Sequence, residues 1–117
     1  MAQPIRRGDV FTVDLEPVRG SEQGKRCPAV VIQNDLGNRY SPTVIVAAIT
    51  STLRPDFDVN VVVQAPEGGL QNDSTVLLNQ IRTVDRSRLG RHWGRLSPAT
   101  MAKIDRALLI SLGLVEI

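Results

Sequence analysis

The sequence predicts a mainly β domain with one C-terminal helix, folded as a small, strongly bent, SH3-like barrel. Three observations predict it. Short runs of β-branched residues fill the first two thirds of the chain, separated by Gly, Pro and Asn. Two of these runs, Ala29–Ile32 and Val44–Ile49, are apolar without alternation, as strands buried on both faces are. After Ser97 the apolar period changes to three and four residues. With 117 residues and 12.8 kDa, the chain is read as a single domain spanning 1–117.

The elements follow in order. Val10–Leu15 is a strand, with Val13-Asp14-Leu15-Glu16 alternating apolar and polar residues. A polar loop, Glu16–Lys25, is broken by Pro17, Gly20 and Gly24. Ala29–Ile32 is the first two-sided strand, Asn34–Pro42 reads as turns, and Val44–Ile49 is the second two-sided strand, running into Thr50. Val59–Val63 and Thr75–Leu78 add two more strands around Pro66, Gly68 and Gly69, and Arg82–Val84 reads as a short strand of its own. Ser97-Pro98 then opens a helix: a hydroxyl to cap free amides, followed by a ring whose missing N–H is not needed there. Met101, Ile104, Leu108 and Leu112 make its apolar face, and Gly113 is placed to end it in the left-handed conformation.

Composition excludes several classes of protein. Apolar residues are 42% and charged residues 22% of the chain, a globular balance. No apolar run reaches the roughly 20 residues that span a bilayer, and the N-terminus lacks the apolar stretch of a secretory signal, so no membrane partner is expected and the cytoplasm is the default compartment. One cysteine and one histidine leave no disulfide framework and no ligand set for a metal, and no cofactor motif is present. The net charge is only +2. Between Arg82 and Arg106, however, seven Lys or Arg face two Asp, a stretch that suits phosphate contact or an ordinary solvated surface.

Function becomes legible through three longer stretches: RGDVFTVDLEPVRGSEQGKRCPAVVIQND from Arg7 to Asp35, SPTVIVAAITS from Ser41 to Ser51, and NDSTVLLNQIRTVDRSRL from Asn72 to Leu89. With the terminal helix they resemble, in order and spacing, the MazF/PemK/Kid family of toxin–antitoxin ribonucleases. The resemblance implies a CcdB/MazF-type barrel and a homodimer. It implies metal-independent cleavage of single-stranded RNA at short sequences, leaving a 2′,3′-cyclic phosphate and a 5′-hydroxyl, and inhibition by a cognate, MazE-like antitoxin. A gyrase poison of the CcdB kind would need a Trp-Gly pair at the C-terminus, whereas here Trp93-Gly94 precedes the helix.

The resemblance also assigns site residues. Family members place an arginine just before the proline that opens the second strand and a threonine at the end of the third. The threonine matches Thr50. The arginine column holds Cys27, with Arg26 one position early in Lys25-Arg26-Cys27-Pro28. A one-residue offset turns a strand side chain to the opposite face, so Arg26 serves only if a bulge re-aims it or the strand is not yet regular there. Three readings stay open: Arg26 acts, Cys27 leaves an attenuated enzyme that still binds RNA and antitoxin, or Cys27 itself takes part. Asn34, Ser74, Gln80 and Arg82 match family positions near the RNA groove, the loop Arg19–Arg26 with Glu22 and Gln23 is expected to line it, and Arg7 contacts RNA or caps the sheet; each also has a structural reading. Glu22 is further a candidate base, and His92 reads as a surface histidine beside Trp93.

Overall fold

Val30 is buried in one apolar cluster while its neighbours Ala29 and Val31 are buried in another, and this two-sided burial organises the molecule. The structure, a computed structural model, describes residues 4–16, 19–21 and 25–116. Its strands are β1 (Asp9–Asp14), β2 (Arg26–Val31), β3 (Thr43–Thr50), β4 (Asn60–Val63), β5 (Ser74–Asp85) and β6 (Leu89–Arg95). They form one six-stranded sheet in the order β4-β5-β3-β2-β1-β6, every pair antiparallel. β2 and β3 are the two runs expected to be buried on both faces, and they are. Ala47 and Ile49 join the cluster of Val30, while Val44, Val46 and Ala48 join that of Ala29 and Val31.

β5 is one strand of 12 residues where the sequence reading had two, because a register shift opposite Ala47 and Ala48 lets the strand turn without ending. Among the described residues the edge strands β4 and β6 share no hydrogen-bonded ladder. Instead a single 3-10 turn at Glu67–Gly69, following β4, seats directly on β6. A Cβ added at Gly69, whose φ is +75°, would lie 2.1 Å from the Trp93 carbonyl oxygen, and one at Gly94 would lie 2.8 Å from the Gly68 carbonyl carbon. The sheet itself stays open, and the turn lies against β6 by backbone packed on backbone. β6 escaped the sequence reading because Gly90 and Gly94 dilute its β pattern.

The C-terminal helix, α2 (Pro98–Ser111), starts as expected: the Ser97 hydroxyl accepts the Thr100 N–H at 3.2 Å and Pro98 occupies the first turn. Ile104 and Ala107 are buried in the first cluster, with Met101 and Leu108 packed beside them. Leu112 does not belong to that face. It is 55% exposed and caps the helix end, just before Gly113 turns left-handed at φ +71°. The segment read as turns contains a short helix, α1 (Asp35–Tyr40), capped by the Asn34 side chain, which accepts the Gly37 N–H at 2.8 Å. Its Asp35 carboxylate accepts from the Arg7 backbone N–H at 2.7 Å and from the Asn38 amide at 3.1 Å. The Arg7 bond, then the Asn38 bond, hold its pKa below the ordinary carboxylate value. Glu67 fastens the 3-10 turn to the start of α2 by accepting the Ser97 N–H at 3.0 Å. Burial pushes this carboxyl up, but hydrogen bonds from Thr100 and Ser97 outweigh it and the net shift is downward.

Two expectations follow. Gly69→Ala, which drives a methyl into the Trp93 carbonyl, should lower unfolding free energy by more than about 2 kcal/mol. Gly113→Ala, which meets nothing within 4 Å, should cost only about 1 kcal/mol from its backbone angle. Equal losses in urea titrations would contradict the packed seam. Asp35 and Glu67 have depressed folded pKa values, so their stabilisation is complete above about pH 4 and fades as pH falls through the folded values. The stability gap between the wild type and Asp35→Asn or Glu67→Gln should therefore shrink toward pH 2 and be full at pH 7.

Candidate active site

The position of the candidate site follows from strand pairing. In the β2–β3 ladder Ala29 faces Ala48, Val30 faces Ala47 and Val31 faces Val46. Carried two residues further, the same register sets Cys27 across from Thr50, so both side chains leave the sheet on one face. Arg26 goes to the other face. The β1–β2 register runs without a shift from Val10↔Val30 to Asp14↔Arg26, so no bulge re-aims the arginine. Its guanidinium extends over β1 toward β6, where Gly90 makes room: a Cβ there would lie 3.2 Å from Nη2. Arg26 lines a hollow with Asp14, Glu16 and Arg88, separate from the hollow that holds Thr50.

The Thr50 hollow, about 200 Å³, opens where β2 begins and β3 ends. Its polar groups are neutral, the side chains of Thr50, Ser51, Ser74, Gln71 and Asn72, and its walls include Pro28, Leu70 and Trp93. No charged residue lines it among the described residues. Thr50 Oγ1 accepts the Thr52 N–H at 3.2 Å, which uses a lone pair and leaves the hydroxyl proton for another acceptor. Ser74 donates to the Asn72 carbonyl at 2.7 Å and is almost fully buried. Cys27, packed against the second cluster, has its thiol pushed up to about 11 by burial, so it stays protonated at neutral pH. That thiol is unsuited to act as base or nucleophile. A larger hollow, about 830 Å³, lies between β4 and α2, but none of the sequence-assigned site residues lines it.

Several of the other assigned residues are bonded within the fold. Arg7 donates Nε to the Ile32 carbonyl at 2.8 Å and pairs with Asp105 at 2.7 Å, tying the residue just after β2 to α2. Asn34 caps α1. Arg82 donates to the Leu15 carbonyl. Gln80 is half-buried on β5 and does not line the Thr50 hollow. Glu22 and Gln23 lie outside the described residues. Two more arginines of the basic stretch behave as Arg82 does: Arg86 donates to the carbonyls of Asn38 and Ser41, and Arg88 to those of Asp14 and Glu16. The other four, Arg91, Arg95, Lys103 and Arg106, are exposed, as an ordinary solvated surface would have them. His92 is no plain surface residue either. It is half-buried, 5.0 Å from the Phe11 ring, with Nε2 3.3 Å from the buried Asp9 carboxylate.

Among the described residues no three His, Cys, Asp or Glu gather as metal ligands. Sequence reasoning missed Trp93, Gln71 and Asn72 at the site. Trp93 is an isolated aromatic in a stretch diluted by Gly90 and Gly94, and carried no local signal.

Residues 6–112 match the family described as PemK-like, MazF-like toxin of type II toxin-antitoxin system. The chain belongs to that toxin family. It is 52% identical over 111 residues to the Endoribonuclease MazF of Staphylococcus epidermidis, covering 94% of this chain and 92% of that protein. A solved endoribonuclease from Mycobacterial species superposes with a TM-score of 0.81 at 28% identity, covering 98% of this chain and 97% of that one. A second, an endoribonuclease from Mycobacterial species in complex with its cognate antitoxin, gives 0.79 at 28% identity, covering 96% and 98%. The likeness extends over nearly the whole chain.

The thiol offers a direct check of the geometry. Iodoacetamide should modify native Cys27 at pH 7.5 at least tenfold more slowly than the urea-unfolded chain, with the native rate climbing as pH approaches 11. A native rate equal to the unfolded one would mean that Cys27 is neither buried nor protonated as described.

Proposed function

We propose that this chain is the endoribonuclease of a toxin–antitoxin pair, cutting single-stranded RNA without a metal ion and working slowly because position 27 is a thiol. In the proposed step the 2′-oxygen forms a bond to the adjacent phosphorus while the bond from phosphorus to the 5′-oxygen breaks. The 2′-hydroxyl proton passes to a base or water, the leaving 5′-oxygen gains a proton, and the ends are a 2′,3′-cyclic phosphate and a 5′-hydroxyl. Negative charge accumulates on the phosphoryl oxygens, and groups that stabilise it there lower the barrier.

The observation that carries this reading is that Cys27 and Thr50 line one hollow whose described residues are all neutral. Thr50 supplies a hydroxyl donor to the phosphoryl oxygen. Opposite it, Cys27 offers a weak neutral donor where a guanidinium would bring fixed charge and a fork of N–H groups. Ser74, Asn72 and Gln71 supply groups suited to reading unpaired base edges. The same proposal includes a homodimer, a cognate antitoxin as inhibitor, and action in the cytoplasm, where its RNA substrate is found. Among the described residues no helix is long and apolar enough to cross a membrane.

Purified protein incubated with mixed-sequence RNA in excess EDTA should cut it, and end mapping should return cyclic phosphates and 5′-hydroxyls. Cys27→Arg should raise the rate on the order of 10²–10³-fold, Thr50→Ala should lower it at least tenfold without unfolding, and Arg26→Ala should leave it within about twofold. RNA left intact by both the native chain and Cys27→Arg would defeat the reading. A large loss in Arg26→Ala would return the phosphate contact to Arg26.

A further inference from the structure

We propose that Trp93 is a specificity-determining residue of this site: one unpaired base beside the scissile phosphate packs against its indole inside the Thr50 hollow. The inference rests on the ribonuclease reading above and adds which part of the RNA enters the hollow.

Chemistry inside the hollow selects its occupant. Lined by Trp93, Pro28 and Leu70 with neutral amides and hydroxyls, and with no charged residue among the described ones, it offers nothing to neutralise a phosphate. What it does suit is the flat, uncharged part of a nucleotide. Its volume of about 200 Å³ falls below the roughly 300–1,000 Å³ of pockets that hold whole drug-sized ligands, which points to one base and not a stacked pair. Thr50 lies in the same hollow, where β3 ends, so a phosphate at its mouth and a base within it belong to neighbouring parts of one strand.

Trp93 is also held in place in advance. Its indole N–H donates to Thr12 Oγ1 at 2.7 Å, which commits the ring's single donor and fixes its orientation. Backbone on either side of the ring is pinned by the Gly68-Gly69 seam. Contact with a ligand is thus through ring surface, and a wall already oriented loses little freedom on binding. The hydrogen-bonding groups of Asn72, Gln71 and Ser74 then distinguish base edges while the indole supplies the packing.

Trp93 is the chain's single tryptophan, so its emission reports this place alone. The cut site is first mapped with Cys27→Arg protein. An oligonucleotide spanning it, with 2′-deoxyribose at the cut, is then titrated into the wild-type chain. A matching set carries one abasic residue at each of the positions flanking the cut. Binding is followed by anisotropy of a dye on the oligonucleotide, and Trp93 emission is read separately. The intact oligonucleotide should change Trp93 emission, and a single abasic position should abolish the change. Trp93→Leu should weaken binding of the intact strand about tenfold or more while leaving that one abasic strand unaffected. Binding with unchanged emission, or a Trp93→Leu loss equal for all strands, would overturn the inference and leave the ribonuclease reading standing. No cut in any RNA by Cys27→Arg protein, or no binding of any strand by folded protein, would overturn both. The emission and abasic arms use the wild-type chain, so a Trp93→Leu protein that does not fold leaves the test decisive.

Discussion

The pairing of β2 with β3 is the constraint on which the rest of the structure depends. Both strands are apolar on both faces, and each face is sealed in its own cluster. Sliding the pair by one residue would exchange the two sets of side chains and misfit several buried Val, Ile and Ala residues at once. Each fully buried aliphatic contributes roughly 1.5–3 kcal/mol, so no local gain offsets such a slip. The site inherits this rigidity. The register that pairs Ala29 with Ala48 leads, two residues on, to Cys27 and Thr50 in one hollow, and Arg26 is turned away to another.

Elements whose cause is local could be read from the sequence. β2 and β3 are unbroken apolar runs, and α2 opens with a serine cap and a proline. What stayed hidden has a distant cause. Gly94 in β6 is required by a turn more than twenty residues earlier, and Gly90 accommodates a side chain from β2. Neither contact leaves a trace in the local pattern. β5 ran on through a bulge where the sequence reading placed two strands, Thr75–Leu78 and Arg82–Val84. For α1, the Asn34 cap was the available signal, but six residues are too few to show a helical period.

The site was legible in the same uneven way. Thr50, Cys27 and Ser74 were assigned through family resemblance, and the structure brings them to one hollow. Arg7, Asn34 and Arg82 fit that resemblance too, yet each makes bonds that hold the fold together. A motif records which residues occur together and not whether a given donor serves the chain or its ligand. Arginine suits both tasks, since its planar fork satisfies carbonyls as readily as phosphates.

That double aptitude bears on how a polyanion meets this surface. Arg82, Arg86 and Arg88 keep their positive charge while their N–H groups point at backbone carbonyls. Charge acts over roughly 10 Å in ordinary salt, whereas a hydrogen bond needs contact. Such arginines attract from afar and grip weakly on arrival. Ionic strength then governs how fast a strand is captured, and uncharged contacts govern how long it stays.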